Sequence, residues 1–160
     1  MGLDVRAYSQ CVFVHEPHGY NEECDDRIPV RHQPWVDVLD GRSLGCYEHK
    51  GETFHFRAGS YGGYGDWRRS LSVLGLGTTA ETVWHEPGAF AGEPFVELVN
   101  FSDCEGAIGP ATSEKLAADF ATHRDAAASG PDFGGYFLAK YDDWHKAFTL
   151  ASDDGWVVLH

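Results

Sequence analysis

Apolar and polar residues alternate along several stretches of the chain, and this period of two is typical of half-buried β-strands. Leu3, Val5 and Ala7 occupy alternate positions near the start, and Phe54 and Phe56 share one face of a later stretch. Six strands are predicted on this basis, the weaker ones included: residues 3–14, 35–39, 44–49, 52–58, 94–101 and 156–159.

A second kind of spacing predicts helices. Apolar side chains recur at steps of three and four residues at Phe137, Tyr141, Trp144 and Phe148, which places them on one helical stripe. Pro110 suits the first turn of a helix, where its missing N–H is not needed. Three helices are predicted: residues 66–74, 110–127 and 133–151.

The order of these elements predicts the fold class. Strands come first, then a helix, a strand, two helices and a final strand, which indicates an α+β domain with a mostly antiparallel sheet. The chain has 160 residues, 42% of them hydrophobic, so we expect residues 1–160 to form a single domain around one core. The polar residues 15–34 are predicted to form a long loop, residues 59–65 a glycine-rich turn and residues 102–109 a further loop, whereas residues 78–93 show no clear period.

The charge of the chain is strongly negative and unevenly distributed. The formal net charge is −13, with eight basic and eleven acidic side chains in residues 1–80 but four and fourteen in residues 81–160. Nucleic-acid binders present a basic face, and anionic membrane surfaces attract basic segments, so both partners are excluded. A basic protein surface or a cation remains open as a partner, as does a role in solubility alone.

The cysteines indicate in which cellular compartment, reducing or oxidising, the protein is expected. Cys11, Cys24, Cys46 and Cys104 form no C-x-x-C pair, and the first 30 residues contain no apolar core of a signal peptide. We therefore expect four free thiols in a reducing cytoplasm, and the host cytoplasm if a phage encodes the chain.

One candidate site is the aromatic–arginine block, defined as residues 60–69. Tyr61, Tyr64 and Trp67 recur every three residues among glycines, and a flat ligand could stack on such rings. A phosphate group could pair with Arg68 or Arg69. The alternative is that the rings belong to the core and the arginines are solvated. The predicted ligand-binding residues of this block are Ser60, Tyr61, Tyr64, Trp67, Arg68 and Arg69.

A second candidate is the acidic loop, defined as residues 100–106, between a predicted strand and a predicted helix. Asn100, Ser102, Asp103 and Glu105 could bind hydroxyls or amines of a ligand, and Asp103 with Glu105 could bind a divalent cation. Cys104 could act as a nucleophile with a base beside it.

His123, in the following helix, is the candidate base. The two carboxylates beside Cys104 argue against a thiolate, because like charges raise a thiol pKa. The alternative is a capped loop with a buried cysteine.

A weaker candidate is a metal site at His15, His18 and Cys24. These residue types suit zinc, but their spacing matches no common zinc pattern. We therefore expect no resident cofactor, with a divalent cation as the open alternative.

Several blocks together resemble a group of short uncharacterised proteins encoded by phages, prophages and some bacteria. The resemblance lies in residues 1–9 (MGLDVRAYS), 59–68 (GSYGGYGDWR) and 99–110 (VNFSDCEGAIGP), and extends to residues 141–144 and 155–158. It implies an accessory protein of phage type, and small phage proteins of this kind often act on host defence by holding nucleotide signals, cleaving them or blocking a host protein.

Three functions follow as hypotheses. The leading one is a non-enzymatic protein that binds a small, nucleotide-like ligand through the aromatic–arginine block and the acidic loop. The second is a hydrolase or transferase acting on a nucleotide through Asp103, Glu105 and His123. The third is an acidic inhibitor that binds a host protein. Whether the chain forms homo-oligomers stays open.

Overall fold

The structure is a computed structural model that describes residues 2–16, 24, 26–33, 37–130 and 134–160. Seven strands and six α-helices lie within these residues. The strands are β1 (Gly2–Tyr8), β2 (Cys11–His15), β3 (Ile28–Val30), β4 (Gly45–His49), β5 (Thr53–Ser60), β6 (Gly106–Ile108) and β7 (Trp156–Leu159). The helices are α1 (Tyr61–Leu76), α2 (Ala80–His85), α3 (Val96–Val99), α4 (Pro110–Thr122), α5 (Arg124–Ser129) and α6 (Gly135–Ala151).

The strands form two antiparallel sheets. A large sheet has the order β5-β1-β7-β6, and a small sheet has the order β2-β4-β3. Strand β7 contributes to the packing on both faces of the large sheet, because its successive side chains point to opposite faces. Val157 and Leu159 join the core under the helices, whereas Trp156 and Val158 pack in a second cluster with the small sheet. The large sheet therefore lies between a layer of helices and the small sheet.

The α+β class with mostly antiparallel sheets is confirmed. Several elements also match their predictions: β5, α6 and β7 lie where the patterns placed them, and α4 begins at Pro110 as expected. The helix predicted over 110–127 ends earlier, and a new short helix follows His123.

Four predictions of secondary structure were wrong. The strand predicted over 3–14 is two strands, because the chain turns at Gln10, which has a φ of 52°. The strand predicted over 94–101 is instead the short helix α3. The loop predicted over 102–109 contains β6, and the loop predicted over 15–34 contains β3. Of the weak strand predicted over 35–39, residues 35 and 36 lie outside the described residues, and residues 37–39 belong to no strand.

The edge strand β6 is covered by a side chain rather than by another strand. The Gln33 amide donates to the Ala107 carbonyl at 2.9 Å and accepts from the Ala107 N–H at 3.0 Å. One side chain thus supplies both hydrogen bonds that a neighbouring strand would make to Ala107. The backbone groups of Ala107 are therefore not available to pair with another strand.

Candidate functional site

Helix α1 begins inside the aromatic–arginine block, so the glycine-rich turn predicted before it is helical from Tyr61 onward. Ser60 is the N-cap, and its hydroxyl accepts a hydrogen bond from the Gly63 N–H at 3.0 Å. A capping serine offsets the low helix propensity of the glycines that follow. The early start places Tyr64, Trp67 and Leu71 on one face, which is buried.

Tyr64 and Trp67 are core residues. Their exposed fractions are 0% and 3%, and Trp67 packs against the rings of Tyr64, Phe137 and Trp144 at centroid distances between 5.7 and 6.1 Å. The Trp67 indole N–H donates to the Phe137 carbonyl at 3.2 Å. Both rings are surrounded by protein, so the predicted stacking role does not fit Tyr64 or Trp67.

Arg68 is also buried, and it connects the two candidate blocks. Its Nη1 donates to the carbonyls of Val99, at 3.4 Å, and of Phe101. These carbonyls lie at and just beyond the end of α3, where helix geometry leaves carbonyls without partners and favours a cation. The predicted phosphate role does not fit Arg68, whose guanidinium instead fixes the start of the acidic loop against α1.

Polar atoms without partners lie close to this junction. Within the described part of the chain, the Tyr64 hydroxyl and the Arg68 Nε make no hydrogen bond, although both are buried. Burial raises the pKa of the Tyr64 phenol well above its usual value, while Arg68 lowers that pKa and Asp103 raises it further.

Removing the Tyr64 hydroxyl should be tolerated. A buried hydroxyl without a partner costs about 1–3 kcal/mol, so we expect Tyr64→Phe to leave the free energy of unfolding unchanged or to raise it by about 1 kcal/mol. Urea denaturation measures this change. A loss of more than about 1 kcal/mol would contradict the absence of a hydrogen bond at this hydroxyl, and Tyr141→Phe is the matched control, since the Tyr141 hydroxyl donates to the Phe120 carbonyl at 2.7 Å.

The acidic loop is held in shape by Ser102. The Ser102 hydroxyl accepts hydrogen bonds from the N–H groups of Cys104 and Glu105, each at 3.2 Å, and lies 3.5 Å from the Cys104 sulfur. Asp103, Cys104 and Glu105 are exposed, so the alternative of a buried cysteine is wrong. The loop therefore presents two carboxylates and a thiol to the solvent. Asn100, the first residue of the loop, is the C-cap of α3.

His123 belongs to another part of the molecule. It caps the end of α4, its Nδ1 lies 3.0 Å from the Asp119 carbonyl, and its ring packs on Phe95 at 5.2 Å. Within the described residues, no contact joins His123 to Cys104 or to the two loop carboxylates. The predicted base is therefore not placed beside the thiol.

Trp84, on α2, is the residue that sequence reasoning missed. Its side chain is 36% exposed, yet its indole N–H donates to the Val99 carbonyl at 2.8 Å, which fixes the ring. The guanidinium carbons of Arg68 and Arg69 lie 5.5 and 5.7 Å from the ring centroid. Residues 78–93 carry no period that would have marked this tryptophan, and its position depends on the long-range contact with α3.

Arg69 and Tyr61 are the exposed members of the predicted block. Arg69 forms ion pairs with Asp66 at 2.9 Å and with Glu81 at 2.6 Å, both at the surface. Tyr61 is half-exposed in the first turn of α1. Of the side chains predicted for stacking and phosphate binding, these two remain accessible to a ligand.

The cysteine predictions need correction. Cys24 and Cys46 form a disulfide, so the expectation of four free thiols was wrong and Cys24 cannot serve as a zinc ligand. Sequence spacing could not reveal this pair, because the two cysteines are 22 positions apart and come together only when β3 pairs with β4. The argument for a reducing compartment loses its basis in the cysteines.

Two thiols remain free. Cys104 is exposed, whereas burial raises the pKa of the Cys11 thiol to about 12. For the metal hypothesis, His18 lies outside the described residues, and His15 Nδ1 lies 2.8 Å from the Glu16 carbonyl. The described residues contain no group of three or more potential metal ligands.

A surface cavity of about 370 Å³ lies beside the small sheet, and neither the aromatic–arginine block nor the acidic loop contributes to its lining. Glu48 in its wall is already paired with Arg27 at 3.1 Å and with Lys50 at 3.0 Å. The cavity is lined by Asp26, Arg27, Ile28, Tyr47, Glu48 and His49.

Comparisons with protein-family models, with curated proteins and with solved structures found no match. Among the described residues, no helix combines the length and the apolar character needed to cross a membrane.

Proposed function

We propose that this chain is a non-enzymatic binding protein for a small, flat, nucleotide-like ligand, held on a surface that we call the Trp84 face. The Trp84 face consists of the exposed side of Trp84, the Arg69 guanidinium and the acidic-loop residues Ser102, Asp103 and Glu105. The observation that carries the proposal is the anchored, part-exposed indole of Trp84 beside the start of the acidic loop.

An anchored ring favours stacking. Ordering a side chain on binding costs about 0.5–1.5 kcal/mol, and the hydrogen bond to Val99 has already fixed the Trp84 indole. A base stacked on an aromatic side chain contributes about 1–3 kcal/mol. In this proposal Trp84 takes over the role that the sequence assigned to Tyr64 and Trp67.

The polar groups of the Trp84 face match the remainder of such a ligand. The ion pairs of Arg69 with Asp66 and Glu81 lie at the surface, where such pairs are weak, so a phosphate group can replace them. The carboxylates of Asp103 and Glu105 accept hydrogen bonds from hydroxyls or amines. The many acidic side chains nearby disfavour a long polyanion, which leaves a small molecule with few phosphates as the ligand.

In a phage-encoded protein, this binding would serve to sequester a nucleotide signal of host defence in the host cytoplasm. The proposal requires tight, stoichiometric capture of the ligand without turnover. The hydrolase alternative needs a base near the loop, and the contacts of His123 with Phe95 and Asp119 do not favour it.

Thermal unfolding with a panel of nucleotides and cyclic nucleotides tests the proposal. A ligand present at 100 times its Kd should stabilise the protein by about 2.7 kcal/mol. We expect Trp84→Ala to abolish this stabilisation and Trp84→Phe to keep part of it, because phenylalanine retains a ring. Phe13→Ala, which truncates an exposed ring of the small sheet, is the matched control and should respond like the unchanged protein.

Two results would overturn the proposal: no ligand of the panel stabilises the protein at millimolar concentration, or a ligand stabilises all three variants equally. Release of a hydrolysed product would instead favour the enzyme hypothesis.

A further inference from the structure

Strand β5 forms one edge of the large sheet, and it is eight residues long. It pairs with β1 on one side, and within the described residues no strand lies on its other side. A long edge strand is a template for pairing with another chain, and proteins usually protect such edges. Gln33 covers the opposite edge at β6, whereas none of the residues that the structure describes covers residues 53–57 of β5 in a comparable way.

The hydrogen bonds of β1 show which backbone N–H and C=O groups of β5 point toward β1 and which point away from it. Asp4 exchanges two backbone hydrogen bonds with His160, so the backbone groups of Asp4 point toward β7. Alternation then makes Val5 and Ala7 point toward β5, where they face Phe56 and Phe54 in the register.

The remaining residues of this stretch point outward. The N–H and C=O groups of Thr53, His55 and Arg57 are directed away from β1, and within the described chain they make no hydrogen bonds. Tyr136 donates to the next carbonyl, that of Ala58, at 3.3 Å. The open part of the edge is therefore residues 53–57.

Basic side chains lie on both faces of this edge. On the face away from the helices, His55 and Arg57 are exposed on β5, and Arg6 lies directly opposite His55 on β1. On the helix face, Lys146 of α6 lies 4.2 Å from the Phe54 ring centroid and Lys140 lies 5.7 Å from that of Phe56.

This concentration of positive charge contrasts with the rest of the chain. Arg6, Arg57, Lys140 and Lys146 are four of only twelve lysines and arginines in a protein of net charge −13. Asp4 pairs with Arg57 at 3.2 Å, and Asp143 pairs with Lys140 at 3.1 Å. Within the described residues, Arg6 and Lys146 have no carboxylate within 4.0 Å, so the edge keeps a positive charge.

We propose that the β5 edge is a docking site for an extended acidic segment of a partner protein, which adds to the large sheet as a further strand. Backbone hydrogen bonds to Thr53, His55 and Arg57 would hold the segment. Its side chains alternate between the two faces of the sheet, so glutamates or aspartates would meet Arg57 and Arg6 on one face and Lys140 and Lys146 on the other.

The same charges argue against the competing occupants. A second copy of the chain pairing β5 with β5 would bring arginine, histidine and lysine side chains against each other, which is destabilising. A long nucleic acid would extend from this edge onto the acidic remainder of the surface. An acidic strand satisfies both the backbone groups and the cations of the edge.

Binding of a synthetic peptide tests the proposal. The probe is a fluorescent seven-residue peptide, Thr-Glu-Glu-Val-Glu-Glu-Thr, compared with a version carrying lysine for glutamate and with a version of equal negative charge interrupted by prolines. We expect the first peptide to bind, with an affinity that falls as salt rises, and we expect the other two to bind at least tenfold more weakly. Hydrogen exchange at the amides of Thr53, His55 and Arg57 should slow only with the first peptide.

Variants of the basic side chains test whether charge, in addition to the backbone edge, contributes to peptide binding. We expect the double variant Lys140→Gln/Lys146→Gln to weaken binding of the acidic peptide about three- to tenfold, because each exposed ion pair contributes modestly. Lys50→Gln is the control and should leave binding unchanged, because Lys50 lies in the turn before β5 and is already paired with Glu48 at 3.0 Å. The proposal is overturned if the lysine or proline peptide binds equally well, if the three amides keep their exchange rates, or if size-exclusion chromatography shows self-association through β5 instead of peptide binding.

Discussion

Replacing Trp67 by alanine is expected to lower the free energy of unfolding by about 3–5 kcal/mol, the range found when a large aromatic residue is removed from a packed core. Trp67 is buried among Tyr64, Phe137 and Trp144, and its indole N–H satisfies the Phe137 carbonyl. The variant therefore loses both packing and a hydrogen bond. Urea denaturation followed by circular dichroism measures the change.

The matched control is Tyr61→Ala, because Tyr61 lies in the same helix but is half-exposed. We expect that variant to stay within about 0.5 kcal/mol of the unchanged protein, as surface substitutions usually do. If Trp67→Ala instead kept its stability, Trp67 would have to lie at the surface, and its assignment to the core would fail.

The second large effect concerns the disulfide. Closing a loop of 22 residues stabilises a protein by about 3 kcal/mol, chiefly by restricting the unfolded chain, so the double variant Cys24→Ala/Cys46→Ala should be less stable by about that amount. Reduction by a dithiol should produce a loss of similar size in the unchanged protein. Cys104→Ala is the control and should leave stability unchanged, because Cys104 is exposed.

A count of thiols checks the pairing itself. In denaturant without reductant, a thiol reagent should react with two cysteines, Cys11 and Cys104. In the native protein it should react rapidly with Cys104 alone, because burial raises the pKa of Cys11 to about 12 and shields its sulfur. Four reactive thiols in the oxidised, denatured protein would show that Cys24 and Cys46 are not bonded.

The parts of the fold that the sequence predicted are those controlled by local patterns. The stripe from Phe137 to Phe148 and the proline at the start of α4 identify two helices, since period and capping act within a few residues. The alternation of Phe54 and Phe56 identifies β5 because one face of that strand packs on α6.

The failures occur where distant contacts override local preference. The Pro94–Phe101 segment is rich in strand-forming residues, yet Val96–Val99 is helical and its end is held by Arg68 and Trp84 from other helices. The glycines after Ser60 indicate a turn, yet the Ser60 cap and the burial of Tyr64 and Trp67 favour a helix. No pattern within a short window contains these contacts.

The candidate site shows the same division. The sequence identified the acidic loop because its residue types are uncommon for packing, and the structure joins this loop to the aromatic–arginine block through Arg68. It could not distinguish rings that face the core from rings that face the solvent. Trp84 lay in a stretch without periodicity, and the basic edge of β5 draws residues from β1, β5 and α6, which are far apart in the sequence.

The central claim is that Trp84, and not Tyr64 or Trp67, presents a ring to the ligand. Nuclear magnetic resonance of the indole N–H groups tests this directly, with the Trp84 signal assigned by its loss in Trp84→Phe. On addition of a nucleotide that stabilises the protein, we predict that the Trp84 signal shifts while the signals of the buried Trp67, Trp144 and Trp156 stay in place. A shift of the Trp67 signal with an unchanged Trp84 signal would contradict the account.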